Sequence, residues 1–316
     1  MRVAVLKGGR SLERQVSLRS GARVEDALGR LGHEVVPVDV GGDFIDRVRA
    51  AAADVAFVAL HGADGEDGTV QELLALLDVP YTGSGPAACV RCWDKAVAKH
   101  ALRDAGIPTP EFFALDASAF AELGAARALP ALEERLGFPV VVKPARQGSA
   151  LGVRFARDAG AVPGALVAAS SYDDRILLER HVAGRDLAVS ILDGPDGPQA
   201  LPIVEAIPEG DEYDFEARYE IGRTHFECPA RLPADVTARA QELALAVWRL
   251  LGCRGVARVD LMLEAATGEL AVLEANTVPG FTATSLLPQA AEAGGVDFDD
   301  LVGRLVDQAL ARVGAS

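Results

Sequence analysis

The 316 residues carry 46 Asp and Glu against 31 Lys and Arg, a formal charge of −15; half are hydrophobic and 24% charged. That balance excludes disordered, collagenous and coiled-coil chains, and its field repels phosphate backbones and anionic lipid, so neither nucleic acid nor membrane is an expected partner. At about twice the usual domain size of ~150 residues, two or three domains are expected. No apolar run approaches the roughly 18 residues of a membrane span, and Met1 to Leu6 leads into Lys7-Gly8-Gly9 rather than a signal cleavage site. A cytoplasmic location follows as the expectation.

In chain order, Val3 to Leu6, Glu34 to Val38 and Val55 to Leu60 read as strands separated by amphipathic stretches, the pattern of a parallel sheet with crossover helices. Between the first two, Ser17 is expected to cap a helix whose Ala22, Ala27, Leu28 and Leu31 share a face and which Gly32 ends. Thr69 to Leu77 and Asp94 to Ala105 read as helices, and Gly106-Ile107-Pro108-Thr109-Pro110 breaks the chain after a boundary near residue 95. Cys89 and Cys92 form a C-x-x-C, read as small apolar fillers because Cys228 and Cys253 lack the spacing of a second ligand pair.

Farther on, strands Pro139 to Lys143 and Val153 to Ala156 flank Arg146-Gln147-Gly148-Ser149-Ala150-Leu151-Gly152. Two long antiparallel strands, Arg185 to Leu192 and Ala200 to Ile207, are joined by the turn Gly194 to Pro198. Pro208 to Arg231 is polar and aperiodic, as functional lids are. Pro233 to Leu251 reads as a helix, and two more follow Ser285 and Asp297.

The strongest chemical signal is a hairpin around Ala265-Ala266-Thr267-Gly268-Glu269. With Glu264 facing Leu270, the register sets Asp260 opposite Glu274 and Arg258 opposite Asn276 on one face, leaving Val259, Leu261, Leu263, Leu273 and Ala275 for the core. Opposed carboxylates need a cation between them, and their oxygens suit a nucleotide-bound Mg²⁺; the bare pattern also fits an exposed face of solvated acids. Lys143 ends a strand beside the Gly148 to Gly152 loop, an arrangement that grips polyphosphate, although a plain flexible turn has the same composition. After the first strand, Glu13 can meet a substrate ammonium group or merely favour a helix start. His61 to Gly68 occupies the equivalent loop after the third strand, and a lone His among acids is no zinc pattern.

The chain resembles the D-alanine–D-alanine ligases of the ATP-grasp superfamily from end to end. The matching stretches are Gly8-Gly9 with Ser11, Glu13, Arg14, Val16 and Ser17; Ala59 to Gly62 and Gly65 to Thr69; Pro80 to Gly85; and Asp94-Lys95. They continue with Val142-Lys143-Pro144, Gly148-Ser149, Arg258-Val259-Asp260, Leu273 to Thr277, Pro279-Gly280 and Ser285-Leu286. The resemblance implies an α/β chain, α+β in its ATP-binding part: an ATP-grasp fold with an N-terminal Rossmann-like substrate domain at 1–95. A central subdomain with the phosphate loop follows at 96–179, and a C-terminal subdomain with the lid and Mg²⁺ site at 180–316.

It also implies condensation of two D-alanines through an acyl phosphate, for peptidoglycan and hence cell-wall synthesis, with ATP, two Mg²⁺ ions (Mn²⁺ as an alternative) and a homodimer. Residue by residue, Lys95 and Lys143 resemble the lysines that hold ATP phosphates, Glu179 and Asp186 sit where adenine and ribose bind, and Asp260, Glu274 and Asn276 resemble the metal ligands. Glu13 would hold the first substrate's ammonium, His61 would be a further substrate-binding residue, and Ser285 with the Leu286 N–H would hold the second carboxylate. Arg258 and the Gly280 N–H would stabilise the oxyanion, while Ser149 and Tyr219 would latch onto Glu13. Four positions depart from the family pattern: Arg10, Ala150, Asp186 and Arg218, which respectively replace a small polar residue, a serine, a glutamate and a nucleotide-site lysine. The alternatives are a ligase using D-lactate, D-serine or another second substrate, for which Tyr219 argues against D-lactate, and a non-catalytic ATP-binding protein.

Overall fold

The structure is a computed structural model describing residues 1–208 and 224–312. Its first sheet is parallel, with strand β1 (Arg2–Gly8) between β2 (Glu34–Val40) and β3 (Val55–Val58). Helices α1 (Arg14–Arg30) and α2 (Phe44–Ala51) make the crossovers, so Val3 to Leu6 are buried on both faces.

Ser17 is not the cap of α1. Glu13 holds the capping position, and Ser17 lies inside the helix, where its Oγ accepts from the Gly8 N–H at 2.9 Å and donates to the Ala59 carbonyl at 2.7 Å. The helix buries Ser17, Ser20, Gly21, Val24, Ala27 and Leu28, whereas Ala22 and Leu31 face outward. Small and hydroxylated residues let the helix approach the strand ends closely while satisfying their backbone groups. An apolar periodicity count cannot find such a face.

Helices α3 (Thr69–Leu76), α4 (Pro86–Trp93) and α5 (Lys95–Asp104) follow. Asp94 caps α5 by accepting from the Ala96 and Val97 N–H groups. In α4, Cys89 and Cys92 are buried, and the Cys92 sulfur lies 3.7 Å from that of Cys253.

The second sheet is antiparallel, ordered β4 (Phe112–Asp116), β7 (Arg175–Arg180), β5 (Val140–Pro144), β6 (Arg154–Ala156). The short α6 (Ala119–Glu122) follows β4, and α7 (Leu129–Leu136) and α8 (Val162–Ser170) bury one face through Leu136, Val162, Ala165 and Ala169.

The third sheet runs β11 (Thr224–Glu227), β10 (Val204–Pro208), β8 (Gly184–Leu192), β12 (Val256–Glu264), β13 (Leu270–Asn276), with β9 (Gln199–Ala200) also on β8. The single strand expected over Ala200 to Ile207 is thus two short ones, interrupted around Pro202, which has no N–H for the ladder. Part of the expected lid is also strand, because Thr224 to Glu227 pair with β10; residues 209–223, with Arg218 and Tyr219, lie outside the described residues.

One face of this sheet packs on α9 (Ala234–Leu251) and α5. The other shares a core with the first sheet and with α10 (Leu286–Ala293) and α11 (Phe298–Ala311). There Val3, Val5 and Val24 meet Ala188, Leu192, Leu301 and Leu305, and α11 packs directly on α1 and β3. Among the described residues no helix is long and apolar enough to cross a membrane.

Candidate active site

The β12–β13 hairpin has the expected pairing at its open end, Arg258 opposite Asn276 and Asp260 opposite Glu274. Nearer the turn the register slips by one: Leu261 pairs with Val272, Leu263 rather than Glu264 pairs with Leu270, and Leu273 is the extra residue of a β-bulge. Val272 therefore joins Val259, Leu261 and Ala275 in the core, and Leu273, expected there, lines a cleft beside Met262, Asp260 and Glu274. The bulge adds an apolar wall beside the acids.

Each opposed acid has its own cation. Arg258 donates to both Asp260 oxygens, at 2.6 and 2.8 Å, in the bidentate form that only a guanidinium provides. The Lys95 ammonium lies 3.2 Å from Glu274. Asn276 Oδ1 accepts the Val278 N–H at 2.9 Å and keeps a second lone pair. Among the described residues no cluster of three His, Cys, Asp or Glu is assembled for a metal. The donor set is thus two carboxylates and an amide oxygen on one face, hard donors that fit Mg²⁺ when phosphate and water complete its shell.

Across the cleft, Lys143 on β5 donates to Glu179 on β7 at 2.8 Å, and Lys99 on α5 reaches the other Glu179 oxygen at 2.6 Å. Burial alone would raise the Glu179 carboxyl, but the charges of Lys143 and Lys99 outweigh it and the pKa is lowered. Burial pushes Lys99 down to about 8 against the pull of Glu179. With both oxygens committed to lysines, the Glu179 carboxylate anchors Lys143. Asp186 lines the cleft, whose apolar wall of Val141, Phe155, Val182 and Met262 grades into Lys143, Lys95 and the acids. That gradient suits a flat base with an anionic tail.

The phosphate loop bridges this cleft to a second pocket. Lys95 donates to the Gln147 carbonyl at 2.5 Å, and Ser149 Oγ donates to Glu13. A Cβ at Gly148 would fall against the Glu13 carboxylate, so only glycine allows the backbone this close. Ser149 and Ala150 both have positive φ, +53° and +55°, and holding Ala150 there costs on the order of 1–2 kcal/mol. Arg10 turns away to form a bidentate pair with Asp64 at 2.8 Å.

The second pocket, about 590 Å³, is lined by Glu13, His61, Arg258, Gly280, Ser285 and Leu286. Ser285 stands at the N-cap of α10, its Oγ accepting from the Thr282 N–H at 3.1 Å, and Leu286 opens the helix. The guanidinium of Arg23 donates to the Phe281 and Thr282 carbonyls and stacks 3.7 Å above the Phe298 ring, bracing the loop before α10. Both ring nitrogens of His61 are used inside the protein, Nδ1 with the Val278 carbonyl at 3.1 Å and Nε2 with Ser20 Oγ at 2.8 Å. His61 thus lines the pocket with both ring nitrogens turned to protein partners.

Burial pushes the His61 pKa down to about 4 from 6.5, opposed by the Val278 carbonyl. The unfolded chain takes up this proton near pH 6.5, the folded one only near 4, so this group's contribution to stability falls as pH drops through that window, by up to about 3 kcal/mol. Urea unfolding at pH 7 and 4.5 should give a shallower loss for His61→Gln than for the unaltered chain. Equal losses would contradict the assignment.

Residues 101–307 match the model of the D-ala D-ala ligase C-terminus and residues 43–84 that of the N-terminus. The chain is 44% identical over 310 residues to the D-alanine–D-alanine ligase of Moorella thermoacetica, covering 98% of this chain and 99% of that one. It belongs to the D-alanine–D-alanine ligase family. The ligase of a Synechococcus strain is 44% identical over 319 residues, covering 99% of this chain and 94% of that one. The crystal structure of the Bacillus anthracis ligase complexed with ATP superposes with a TM-score of 0.84 at 33% identity, each chain fully covered. The fold is that of the ATP-grasp enzymes.

Of the family residues expected from the sequence, Lys95, Lys143, Glu179, Asp186, Asp260 and Glu274 line the cleft. Glu13, His61, Ser149, Arg258, Asn276, Gly280, Ser285 and Leu286 line the second pocket. Two further residues were not found in the sequence. Lys99 lies one helical turn after Lys95 on the same face of α5 and is buried. Glu66 borders both Arg258 and Asn276; burial and the nearby charge of Glu13 raise its carboxyl well above the usual range.

Proposed function

We propose that the chain joins two D-alanines at the expense of ATP, and that Arg258, Asp260, Glu274 and Asn276 form the reacting centre. The carrying observation is that these four share one face between a lysine-lined cleft and the pocket of Glu13 and Ser285. Nucleotide and amino acids then meet at one place.

In this reading Lys95 and Lys143 hold the ATP phosphates, and the apolar cleft with Asp186 takes the nucleoside. Asp260, Glu274 and Asn276 would hold Mg²⁺ or Mn²⁺, two ions in the full site, which neutralise phosphate charge. Glu13 pairs with the ammonium of the first D-alanine, turning its carboxylate toward the phosphates. A carboxylate oxygen takes the γ-phosphoryl group as the bond to ADP breaks. The amine of the second D-alanine, held by its carboxylate at Ser285 and the Leu286 N–H, then attacks the acyl carbon; a C–N bond forms, phosphate leaves and the ammonium proton is lost. Both steps develop negative charge, which the Arg258 guanidinium and the Gly280 N–H meet. A Cβ at Gly280 would collide with Ser285 Oγ, so glycine keeps oxyanion donor and carboxylate site together. The loop carrying Ser149 excludes water from the acyl phosphate.

The regions 1–95, 96–179 and 180–316 serve in this reading as substrate part, phosphate-loop part and metal-site part of a cytoplasmic homodimer supplying peptidoglycan synthesis. Incubation with ATP, Mg²⁺, D-alanine and an equal amount of D-lactate tests it. The expected result is phosphate release with D-alanyl-D-alanine as the main product by mass. Mainly ester would assign a different second substrate, and no ATP-dependent product would overturn the ligase reading.

A further inference from the structure

The segment Val278-Pro279-Gly280-Phe281-Thr282 permits a full account of its backbone donors. The Val278 N–H goes to Asn276 Oδ1 at 2.9 Å, Pro279 has none, the Phe281 N–H goes to Ser20 Oγ at 3.2 Å and the Thr282 N–H to Ser285 Oγ at 3.1 Å. Among the described residues only the Gly280 N–H of this run has no protein acceptor. A backbone donor left over beside a pocket is a donor for a ligand.

What aims it is a closed ring of hydrogen bonds. Ser20 Oγ accepts from Phe281 and, with the proton of the neutral imidazole on Nδ1, donates its own to His61 Nε2 at 2.8 Å. His61 Nδ1 carries that ring proton because its partner, the Val278 carbonyl, can only accept, at 3.1 Å. The ring leaves the segment at Phe281 and returns to it at Val278, gripping Gly280 from both sides. Ser20, His61 and Phe281 are almost wholly buried, so water cannot replace any link. Ser20 also sits two helical turns after Glu13 along α1, so one helix sets both the ammonium site and the ring.

We infer that Ser20, acting through His61 and the Phe281 amide, is a positioning residue that aims the Gly280 N–H at the reacting carbonyl. The inference rests on the reading of Gly280 as oxyanion donor. Ser20→Ala removes an acceptor from Phe281 and a donor from His61 without adding bulk. A misaimed donor costs the chemical step, so kcat should fall about 10- to 100-fold while KM for ATP stays within about twofold. Amide exchange at Phe281 should quicken while that at Val5 in β1 does not. Ser20→Cys, which keeps a weak donor and acceptor, should fall between the two and serves if the alanine variant does not fold.

A merely structural Ser20 would lower the unfolding temperature and leave kcat per folded molecule unchanged, and that outcome overturns the inference. So does unaltered exchange at Phe281. Dipeptide formation by the unaltered chain is measured in parallel: its absence sinks the ligase reading, whereas an active parent with an equally active Ser20→Ala variant sinks this inference alone.

Discussion

Replacement of Glu274 by Gln is expected to lower ATP turnover by at least about 100-fold with the fold intact. Glu274 faces Asp260 across the hairpin and lies 3.2 Å from Lys95. Gln keeps the side chain's shape and one oxygen but removes the charge that balances both Lys95 and a divalent ion. Charge stabilisation by such an ion is worth several kcal/mol, and each 1.36 kcal/mol is a factor of ten in rate. The hairpin survives because Val259, Leu261, Val272 and Ala275 on its other face are untouched. Steady-state turnover over a range of Mg²⁺ concentrations checks this: raising Mg²⁺ should recover part of the loss, and near-normal turnover at ordinary Mg²⁺ would remove Glu274 from the site.

The second large effect is expected at Arg258. The guanidinium is buried and holds both oxygens of Asp260, leaving a fixed direction for its remaining N–H groups. In Arg258→Lys a compact ammonium cannot keep the two parallel bonds and also meet an oxyanion, so Asp260 loses a partner at the moment charge develops. Loss of one such donor in comparable sites costs about 100- to 1000-fold in kcat. KM for ATP should change much less, because the lysines of the cleft are unaltered. An effect confined to KM would falsify the oxyanion role.

Much of the reacting centre was legible because strand geometry repeats every two residues: once Asp260 and Glu274 are opposed, Arg258 and Asn276 follow. The slip at Leu273 was not legible, since a bulge leaves no mark in a run of apolar residues and shows only when the core selects Val272. Nor was the inner face of α1, where Ser17 and Ser20 are buried by virtue of the hydroxyls that usually mark a surface or a cap. Lys99 escaped for a similar reason: the carboxylate that balances this fully buried lysine, Glu179, is 80 residues away in sequence and adjacent only in the fold. Strand β11 was hidden in a polar stretch because its pairing with β10, not its composition, makes it a strand.

The packing of α11 on α1 and β3 bears on the order in which the protein can be completed during synthesis. Val3, Val5, Val24 and Val55 leave the ribosome well before Leu301, Val302, Leu305 and Val306, which close their core. Arg30 and Asp299, paired at 2.6 Å, span the same gap. A nascent chain must therefore carry an uncovered apolar face on α1 until α11 has been made, a state in which growing polypeptides are exposed to aggregation. A chain cut short before α11 would leave this face uncovered, and an exposed apolar patch of that kind is an aggregation liability.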